Sequence, residues 1–429
     1  MNLQALKHIC LKNAELVDPV AHTRQSADII IKNGIIQEIG KIDSSFSGES
    51  VDCSGQVISP GLVDMHVHLR EPGREDEETV ETGCAAAMAG GFTAVLPMPN
   101  TDPPCDNQQV VRFLKQKAEK ELVDVYPVGA ITKGRKGIEM AEIADLYQAG
   151  AVAFSDDGST SSNSLVMRYA LEYASMYNAP IIDHCEDHKL ANQGHMNEGV
   201  MSTRLGITGI PNAAESVIIA RDIELVRLTG SALHVAHLST AEGVELVRRA
   251  KQEGLPVTCE VAPHHLLFTD QDLTGFDPNL KMNPPLRTPK DMDALMQGIA
   301  DGTVDVFASD HAPHSLEEKQ VEFEAAPFGI IGLQSMLSVI LKTVVESGAL
   351  SLEQALEKMC VTPRKLLNLP VPQIKTGEPA NLSIFNPKAK TVLRKQDIKS
   401  LSHNSPYIDM ELSGKVYGVC NKGLMYINK

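Results

Sequence analysis

The sequence lacks several features that would place the protein in a membrane or outside the cell. No apolar run reaches the length of a membrane-spanning helix, and the first residues have no continuous apolar core of the kind that a signal peptide needs. The eight cysteines are scattered and form no C-x-x-C pair, which is typical of reduced, buried thiols in a cytosolic protein. We therefore expect a cytoplasmic protein without a membrane anchor.

Basic residues are also in short supply. The chain has 39 Lys and Arg against 55 Asp and Glu, which leaves a net charge of −16 at pH 7. Binding to nucleic acid needs clustered basic side chains that neutralise phosphates, and an anionic membrane surface would repel this net charge. We expect neither kind of partner, and we expect a small anionic substrate only where the site is locally positive.

The 429 residues contain eight copies of one unit, in which an apolar strand ends in polar residues and is followed by an amphipathic helix. Eight such units that close on themselves predict an α/β fold of the (β/α)8, or TIM, barrel type. The predicted strands are GLVDMHVHL, FTAVLPMPN, VDVYPVGAIT, AVAFSDDG, APIIDHCED, ALHVAHLST, LPVTCEVAPHH and VDVFASDHAPH. The predicted helices are Thr79–Ala89, Gln108–Lys120, Ser164–Tyr177, Ala213–Leu228, Ala241–Glu253 and Met292–Ala300.

Both chain ends fall outside the barrel pattern. Residues Ala27–Gly40 alternate around Asn33-Gly34, which is a strong signal for a hairpin turn. The C-terminal stretches ANLSIFNP and GKVYGVCNKGLMYINK are again short strands with turn residues. We predict that the barrel interrupts a small β-sandwich domain that is built from both ends of the chain. The predicted ranges are 1–59 and 366–429 for the β domain and 60–365 for the barrel.

The polar residues of the eight strands fall almost entirely at their carboxyl ends. In a barrel these ends meet at one face, where active sites lie. His66 and His68 are two residues apart on strand one, so their side chains share a face of the strand. The other polar residues at these strand ends are Arg70, Asn100, Asp156, Asp157, His184, His237, Asp310 and His314.

Four of these histidines and two of these aspartates on one rim, without a cysteine ligand nearby, predict a metal site. Six protein ligands are too many for one catalytic zinc ion, because such an ion keeps an open position. The set suits two metal ions that share a carboxylate and that acidify the water between them toward pH 7.

Other polar residues have plainer explanations. A single strand histidine such as His234 or His264 is more often a hydrogen-bonded structural residue than a ligand. Ser309, Asp310 and His311 are adjacent in the chain and could suggest a catalytic triad. Neighbouring residues on a strand alternate faces, however, so these three cannot line up as nucleophile, base and orienting acid.

The segment PGLVDMHVHLREPG resembles the signature of the amidohydrolase superfamily, and specifically that of the dihydroorotase family in its longer bacterial class. The family's other motifs follow in the same order, between about residue 28 and about residue 386. They are MPNT at 98–101, DDG at 156–158, HCED at 184–187, MNPPLR at 282–287, ASDHAPH at 308–314 and PFGIIG at 327–332. The resemblance implies reversible hydrolysis of (S)-dihydroorotate to N-carbamoyl-L-aspartate, the third step of de novo pyrimidine synthesis.

The resemblance also implies a role for each site residue. The positions of His66 and His68 bind one zinc ion, those of His184 and His237 bind the other, and Asp157 bridges the two. Asp310 completes the first site and shuttles the proton. The residues implied at the substrate are Arg70, Asn100 and His314 around its carboxylate, and Asn283, Phe328 and Gly329 at the ring. His68 is also expected to bind the substrate. How fully the second zinc site is occupied stays open.

Relatives of this family differ in the group that bridges the metals. Hydantoinases, dihydropyrimidinases and allantoinases use a carboxylated lysine, whereas strand four here ends AFSDDG and offers none. The nearest lysine, Lys133, follows strand three in a loop and is expected to be solvated. An allantoinase- or hydantoinase-type hydrolase is therefore the first alternative, and an inactive scaffold for aspartate transcarbamoylase is the second. The family suggests a homodimer and leaves open an association with that transcarbamoylase.

Overall fold

The computed structural model describes residues 3–42 and 46–428, and residues 1, 2 and 429 of the predicted end segments lie outside these ranges. Within the described residues the chain forms twenty strands and thirteen α-helices. The strands are β1 Leu3–Ala5, β2 His8–Asp18, β3 Thr23–Lys32, β4 Ile35–Gly40, β5 Glu49–Asp52, β6 Val57–Pro60, β7 Leu62–Val67, β8 Phe92–Pro97, β9 Asp124–Val125, β10 Val128–Ala130, β11 Ala153–Ser155, β12 Ile181–Asp183, β13 Met196–Asn197, β14 Gly209–Ile210, β15 Leu233–Val235, β16 Val257–Val261, β17 Val306–Phe307, β18 Leu382–Val392, β19 Glu411–Asn421 and β20 Leu424–Ile427. The helices are α1 Val80–Gly90, α2 Gln108–Lys117, α3 Ile143–Ala149, α4 Ser164–Ser175, α5 His188–Ala191, α6 Val200–Leu205, α7 Asn212–Thr229, α8 Ala241–Gln252, α9 Pro289–Ala300, α10 Leu316–Lys319, α11 Met336–Ile340, α12 Leu352–Leu356 and α13 Thr362–Leu366.

The barrel consists of two parallel ladders that meet in one interrupted strand. One ladder has the order β7-β8-β9 and the other the order β10-β11-β12-β15-β16-β17. Strands β9 and β10 are two pieces of the third barrel strand, and the break falls at Tyr126-Pro127, where proline has no N–H to donate. A parallel bridge from Val67 to His311 joins the first strand to the residues after the last strand, so the eight strands close. The predicted (β/α)8 barrel is confirmed.

Apolar side chains fill both faces of the barrel wall. One cluster lies inside the barrel and contains strand residues such as Met65, Leu96 and Val306, together with Leu367 from the segment after α13. The larger cluster lies between the strands and the surrounding helices. Because both faces are buried, the strands read as continuous apolar runs, which leaves the carboxyl ends as the place where polar groups meet.

Strands from both chain ends form a second sheet beside the barrel. Its nine strands follow the order β1-β20-β19-β18-β6-β2-β3-β4, with β5 paired to β2. The predicted hairpin joins β3 to β4, and both Asn33 and Gly34 adopt the left-handed backbone (φ 52° and 77°) that this turn requires. The predicted β domain from both chain ends is confirmed. Its bounds stay a prediction, although β6 ends at Pro60 and β18 begins at Leu382.

The predicted helices are present, and further helices lie between and after them. Helix α3 was not anticipated because it has only seven residues before Gly150 ends it in a left-handed conformation. Helices α11 to α13 follow the last barrel strand and complete the eighth unit. Among the described residues, no helix combines the length and the apolar character that crossing a membrane would require.

Candidate metal centre and substrate pocket

Asp157 lies between two pairs of buried histidines at the carboxyl ends of the barrel strands. It forms one group with His66 and His68 and a second with His184 and His237, and the ligand atoms of each group lie within 4.8 Å of one another. Nε2 of His66 and Nε2 of His237 lie 3.3 and 3.4 Å from Asp157 Oδ1, while Nε2 of His68 lies 3.5 Å from Oδ2. All five residues are at most 5% exposed. The structure thus brings together the five residues that the strand ends predicted.

Hydrogen bonds behind the first two histidines determine which ring nitrogen faces Asp157. His66 donates Nδ1–H to Glu260 at 2.6 Å, and His68 donates Nδ1–H to Asn100 at 2.8 Å. With the proton on Nδ1, each ring presents the Nε2 lone pair to the centre. Burial alone would raise the pKa of Glu260, but His66 beside it lowers this pKa to about 2. An ionised carboxylate therefore orients His66.

The polar atoms at the centre fit a pair of divalent metal ions. Nε2 of His66 and Oδ1 of Asp157 are buried and have no hydrogen-bond partner, a costly arrangement for atoms shut away from water. Nδ1 of His184 and Nε2 of His237 converge to 2.9 Å. Imidazole nitrogens and carboxylate oxygens are the ligands that zinc takes in catalytic sites. Ligand binding would satisfy atoms that the protein itself leaves unpaired.

Asp310 reaches the same centre from the residues after β17. Its Oδ1 lies 3.2 Å from Nε2 of His68 and 3.6 Å from Nε2 of His66. Burial opposes ionisation, but the imidazoles of His66 and His68 hold the pKa of Asp310 well below its usual range. The carboxylate is therefore ionised and can accept a proton. Its left-handed backbone (φ 48°) is one that non-glycine residues rarely adopt, as is that of His237 (φ 29°).

A cavity of about 370 Å³ opens above the centre, which is large enough for a small ring compound. The residues that line it are His68, Arg70, Asn100, Arg135, Asp157, Gly158, His184, His237, Met282, Asn283, Asp310, Ala312, His314, Pro327 and Phe328.

Arg70 and His314 form one wall of this cavity, which the guanidinium of Arg70 makes positive. Arg70 donates Nε–H to the carbonyl of Pro313 at 3.0 Å and lies 3.1 Å from a carboxylate oxygen of Glu77. Nδ1 of His314 faces the other oxygen of Glu77 at 2.8 Å, and its Nε2 faces the carbonyl of Phe328 at 2.8 Å. Nη2 of Arg70 lies 3.3 Å from the same Nε2 of His314. Glu77 thus contacts both Arg70 and His314 at the cavity wall.

The three residues that were predicted to contact the substrate ring differ in their positions relative to the cavity. Asn283 has a buried Oδ1 without a partner, and Phe328 lines the cavity. Gly329 does not line the cavity, because its N–H binds the carbonyl of Lys281 and its own carbonyl accepts from Lys319. Glycine is needed there for another reason, since an added Cβ would lie 2.7 Å from the His314 ring. Contact of Gly329 with a substrate ring stays a prediction.

Three residues at the site were not predicted from the sequence. Glu260 was detectable as a single acid within the apolar strand LPVTCEV, but nothing local connects it to His66. Glu77 precedes α1 and looks like an ordinary helix-start acid. Arg135 lies in a turn after β10 with no strand periodicity to aim it at the site. Lys133 in the same turn pairs with Glu139 and is exposed, away from the metal centre.

The fold and the site define a class of protein, the amidohydrolases with a (β/α)8 barrel and a β domain from both chain ends. L-Hydantoinase (dihydropyrimidinase) from Arthrobacter aurescens has the same fold, with a TM-score of 0.86, 27% identity and coverage of 98% of this chain and 96% of that chain. A D-hydantoinase structure at 22% identity, with a TM-score of 0.83, supports the fold alone.

Sequence comparison then identifies the family. Residues 55–243 match the family model described as Dihydro-orotase-like. The chain is 46% identical over 408 residues to the dihydroorotase of Acetivibrio thermocellus, which covers 95% of this chain and 96% of that protein. It is 47% identical over 409 residues to the dihydroorotase of Endomicrobium trichonymphae, at 94% and 96% coverage. The chain belongs to the dihydroorotase family.

Proposed function

We propose that the chain is a dihydroorotase that reversibly hydrolyses (S)-dihydroorotate to N-carbamoyl-L-aspartate in pyrimidine biosynthesis. The observation that carries the proposal is the pair of histidine groups around Asp157 directly below the Arg70–His314 wall. The first feature suits hydrolysis of an amide and the second suits a substrate that carries a carboxylate. Membership of the dihydroorotase family supports the same substrate.

In the proposed site, His66 and His68 would hold one zinc ion and His184 and His237 would hold the other. Asp157 belongs to both groups and would serve as their common ligand. Asp310 is placed to complete the first site. When bound, these ions supply Lewis acidity to the scissile carbonyl and to water. Whether the second site fills as completely as the first is decided by metal analysis of the purified protein, since one or two equivalents of zinc per chain distinguish the cases.

The protein residues then bind the substrate and move the proton. Arg70 and His314 hold the carboxylate, and the amide Nδ2 of Asn100 is free to join them because its Oδ1 is engaged by His68. Asn283 offers its unpartnered Oδ1 to an N–H of the ring. Asp310 accepts a proton from the attacking water and delivers it to the leaving ring nitrogen, since an ionised carboxylate at this position can act first as base and then as acid.

The positive wall favours dihydroorotate over uncarboxylated cyclic amides. Hydantoin and dihydrouracil carry no carboxylate for Arg70 and His314 to bind, and a site built for a charged group discriminates strongly against a ligand that lacks it. The test is to compare turnover of dihydroorotate with that of hydantoin, dihydrouracil and allantoin by the same zinc-loaded protein. Turnover of only the last three would refute the proposal, and a metal-free protein that turns over none would point to a scaffold.

We also propose a cytoplasmic location and a homodimer. All eight cysteines are buried and free, which suits a reducing compartment. The homodimer and an association with aspartate transcarbamoylase rest on the family resemblance. Sedimentation velocity of the protein alone, and then with a transcarbamoylase from the same source, tests both.

A further inference from the structure

Two buried lysines lie next to the part of the cavity wall that carries Phe328. Lys281 is 2% exposed and Lys319 is 4% exposed. Among the described residues, no carboxylate oxygen lies within the 4.0 Å of an ion pair of either side-chain nitrogen. Burial lowers the pKa of Lys281 to about 8 and that of Lys319 to about 7. Both amino groups are thus kept from water without a partner of opposite charge, which is a costly arrangement for side chains that only fill space.

Lys319 binds the main chain on both sides of Phe328. Its Nζ donates to the carbonyls of Pro327 and Gly329, each at 3.0 Å. These residues belong to a segment, residues 323–329, that contains neither helix nor strand and that we call the Phe328 loop. Buried carbonyls usually accept hydrogen bonds from a helix or a sheet. In this loop the side chain of Lys319 supplies a donor instead.

Lys281 binds the beginning of the Phe328 loop and contacts Phe328 itself. Its Nζ donates to the carbonyls of Phe323 and Glu324 at 2.9 and 2.8 Å. The same nitrogen lies 4.8 Å from the centre of the Phe328 ring, which is within the range of a cation–π contact. The main-chain carbonyl of Lys281 accepts from the N–H of Gly329 at 2.9 Å. Lys281 therefore binds both ends of the loop.

The Phe328 loop connects the two lysines to the substrate pocket. Pro327 and Phe328 line the cavity, and the carbonyl of Phe328 lies 2.8 Å from Nε2 of His314. Among the described residues, neither lysine is part of the cavity lining, so any effect on the substrate passes through the loop. We infer, resting on the proposed function, that Lys281 and Lys319 are positioning residues that hold Phe328 against the ring of the bound substrate.

The inference predicts a change in KM without a change in kcat. If the loop takes its binding arrangement for only a fraction of the time, the apparent dissociation constant rises in inverse proportion to that fraction. Lys319→Met removes two donors and keeps a side chain of similar length, and it should raise KM for dihydroorotate about 5- to 50-fold. KM for carbamoyl aspartate should rise by about the same factor, while kcat in both directions stays within about threefold, because saturating ligand restores the arrangement. Lys281→Met should act in the same direction.

Lys358→Met is the matched control. Lys358 is also partly buried, and its Nζ donates to a main-chain carbonyl, that of Val304, at 2.5 Å. Val304 precedes β17 at the amino end of the barrel strands, on the side opposite the metal centre. The control removes the same kind of donor away from the cavity, so both of its KM values should match those of wild type.

The experiment measures both reaction directions with zinc-quantified wild type and variants, and circular dichroism establishes which variants are folded. Lys319→Gln keeps an N–H donor on a shorter side chain and should raise KM less than Lys319→Met does. Phe328→Ala provides a double-mutant cycle. If Lys319 acts through Phe328, Lys319→Met should raise KM by a smaller factor when Phe328 is already alanine.

Unchanged KM values in the folded Lys281→Met and Lys319→Met proteins would overturn the inference. A lower kcat or a lower zinc content at unchanged KM would overturn it too, because the lysines would then support only the fold. The same holds for an unfolded Lys319→Met protein whose folded Lys319→Gln counterpart keeps the wild-type KM, and for an undiminished effect in the Phe328→Ala background. Wild type that interconverts neither compound would instead refute the proposed function.

Discussion

The sharpest prediction concerns Glu260, which touches no substrate atom but supports His66. Glu260→Gln keeps the shape of the side chain and removes its charge. Glu260 accepts from His66 Nδ1 at 2.6 Å and from His234 Nε2 at 3.3 Å, and all three side chains are at most 1% exposed. Replacing a carboxylate behind a ligating histidine lowers metal affinity by about 10- to 100-fold. That range corresponds to about 1.4 to 2.7 kcal/mol.

The assay is competition for zinc between the protein and a chromophoric chelator at neutral pH, where Glu260 is ionised in the wild type. Glu245→Gln is the matched control, because it makes the same change on α8, outside the metal centre, in a side chain that is 43% exposed. Circular dichroism establishes that both variants are folded. A folded Glu260→Gln protein whose zinc affinity stays within about twofold of the control would show that His66 does not depend on Glu260 for its orientation.

Three further predictions follow from the site and its surroundings. Asp310→Asn should lower turnover about 10²- to 10⁴-fold, because it removes the proton carrier. The variant should largely retain zinc, which would still be held by the histidines and Asp157. Near-normal turnover measured on zinc-quantified protein would exclude Asp310 from proton transfer. Arg70→Ala should raise KM for dihydroorotate about 10- to 100-fold through loss of charge-assisted hydrogen bonds, and an unchanged KM in steady-state kinetics would remove Arg70 from the carboxylate site. Lys319→Met should flatten the pH dependence of the free energy of unfolding. Burial lowers the pKa of Lys319 from 10.5 in the unfolded chain to about 7 in the folded protein. Between these two values the unfolded chain binds more protons, so the free energy of unfolding of the wild type rises with pH. Denaturant unfolding of wild type and variant at pH 7 and pH 9 measures this slope, and equal slopes would contradict the assignment.

The fold and the proposed metal ligands were predictable because both follow from strong local patterns. Apolar strands with polar carboxyl ends, repeated eight times, leave few architectures other than a closed barrel. Once the barrel is assumed, His66 and Asp157 must approach one another, although 90 residues separate them in the chain. The hairpin at Asn33-Gly34 was equally predictable, since that turn needs two left-handed residues.

Other parts of the site could not be read from local patterns. Asn100 was expected to bind a carboxylate, and the tertiary structure also gives it a hydrogen bond to His68. Gly329 was expected to contact the ring, and the tertiary structure also shows that a Cβ at this position would lie too close to His314. Neither outcome has a signature in the neighbouring sequence, because each depends on a contact between distant segments.

The amino-acid sequence by itself determined the barrel, the β domain from both chain ends and the set of polar residues at the strand ends. It did so because side-chain alternation and turn chemistry act over a few residues and are visible in any short window. Only the tertiary structure decided which acids support which histidines and which cations remain unpaired. Glu260 lies 194 residues from His66 in the chain. Among the described residues, no carboxylate forms an ion pair with Arg135, whose guanidinium donates only to Ser159. Whether a charged side chain is paired depends on the groups that distant segments bring next to it in the folded protein, so a short stretch of sequence does not show it.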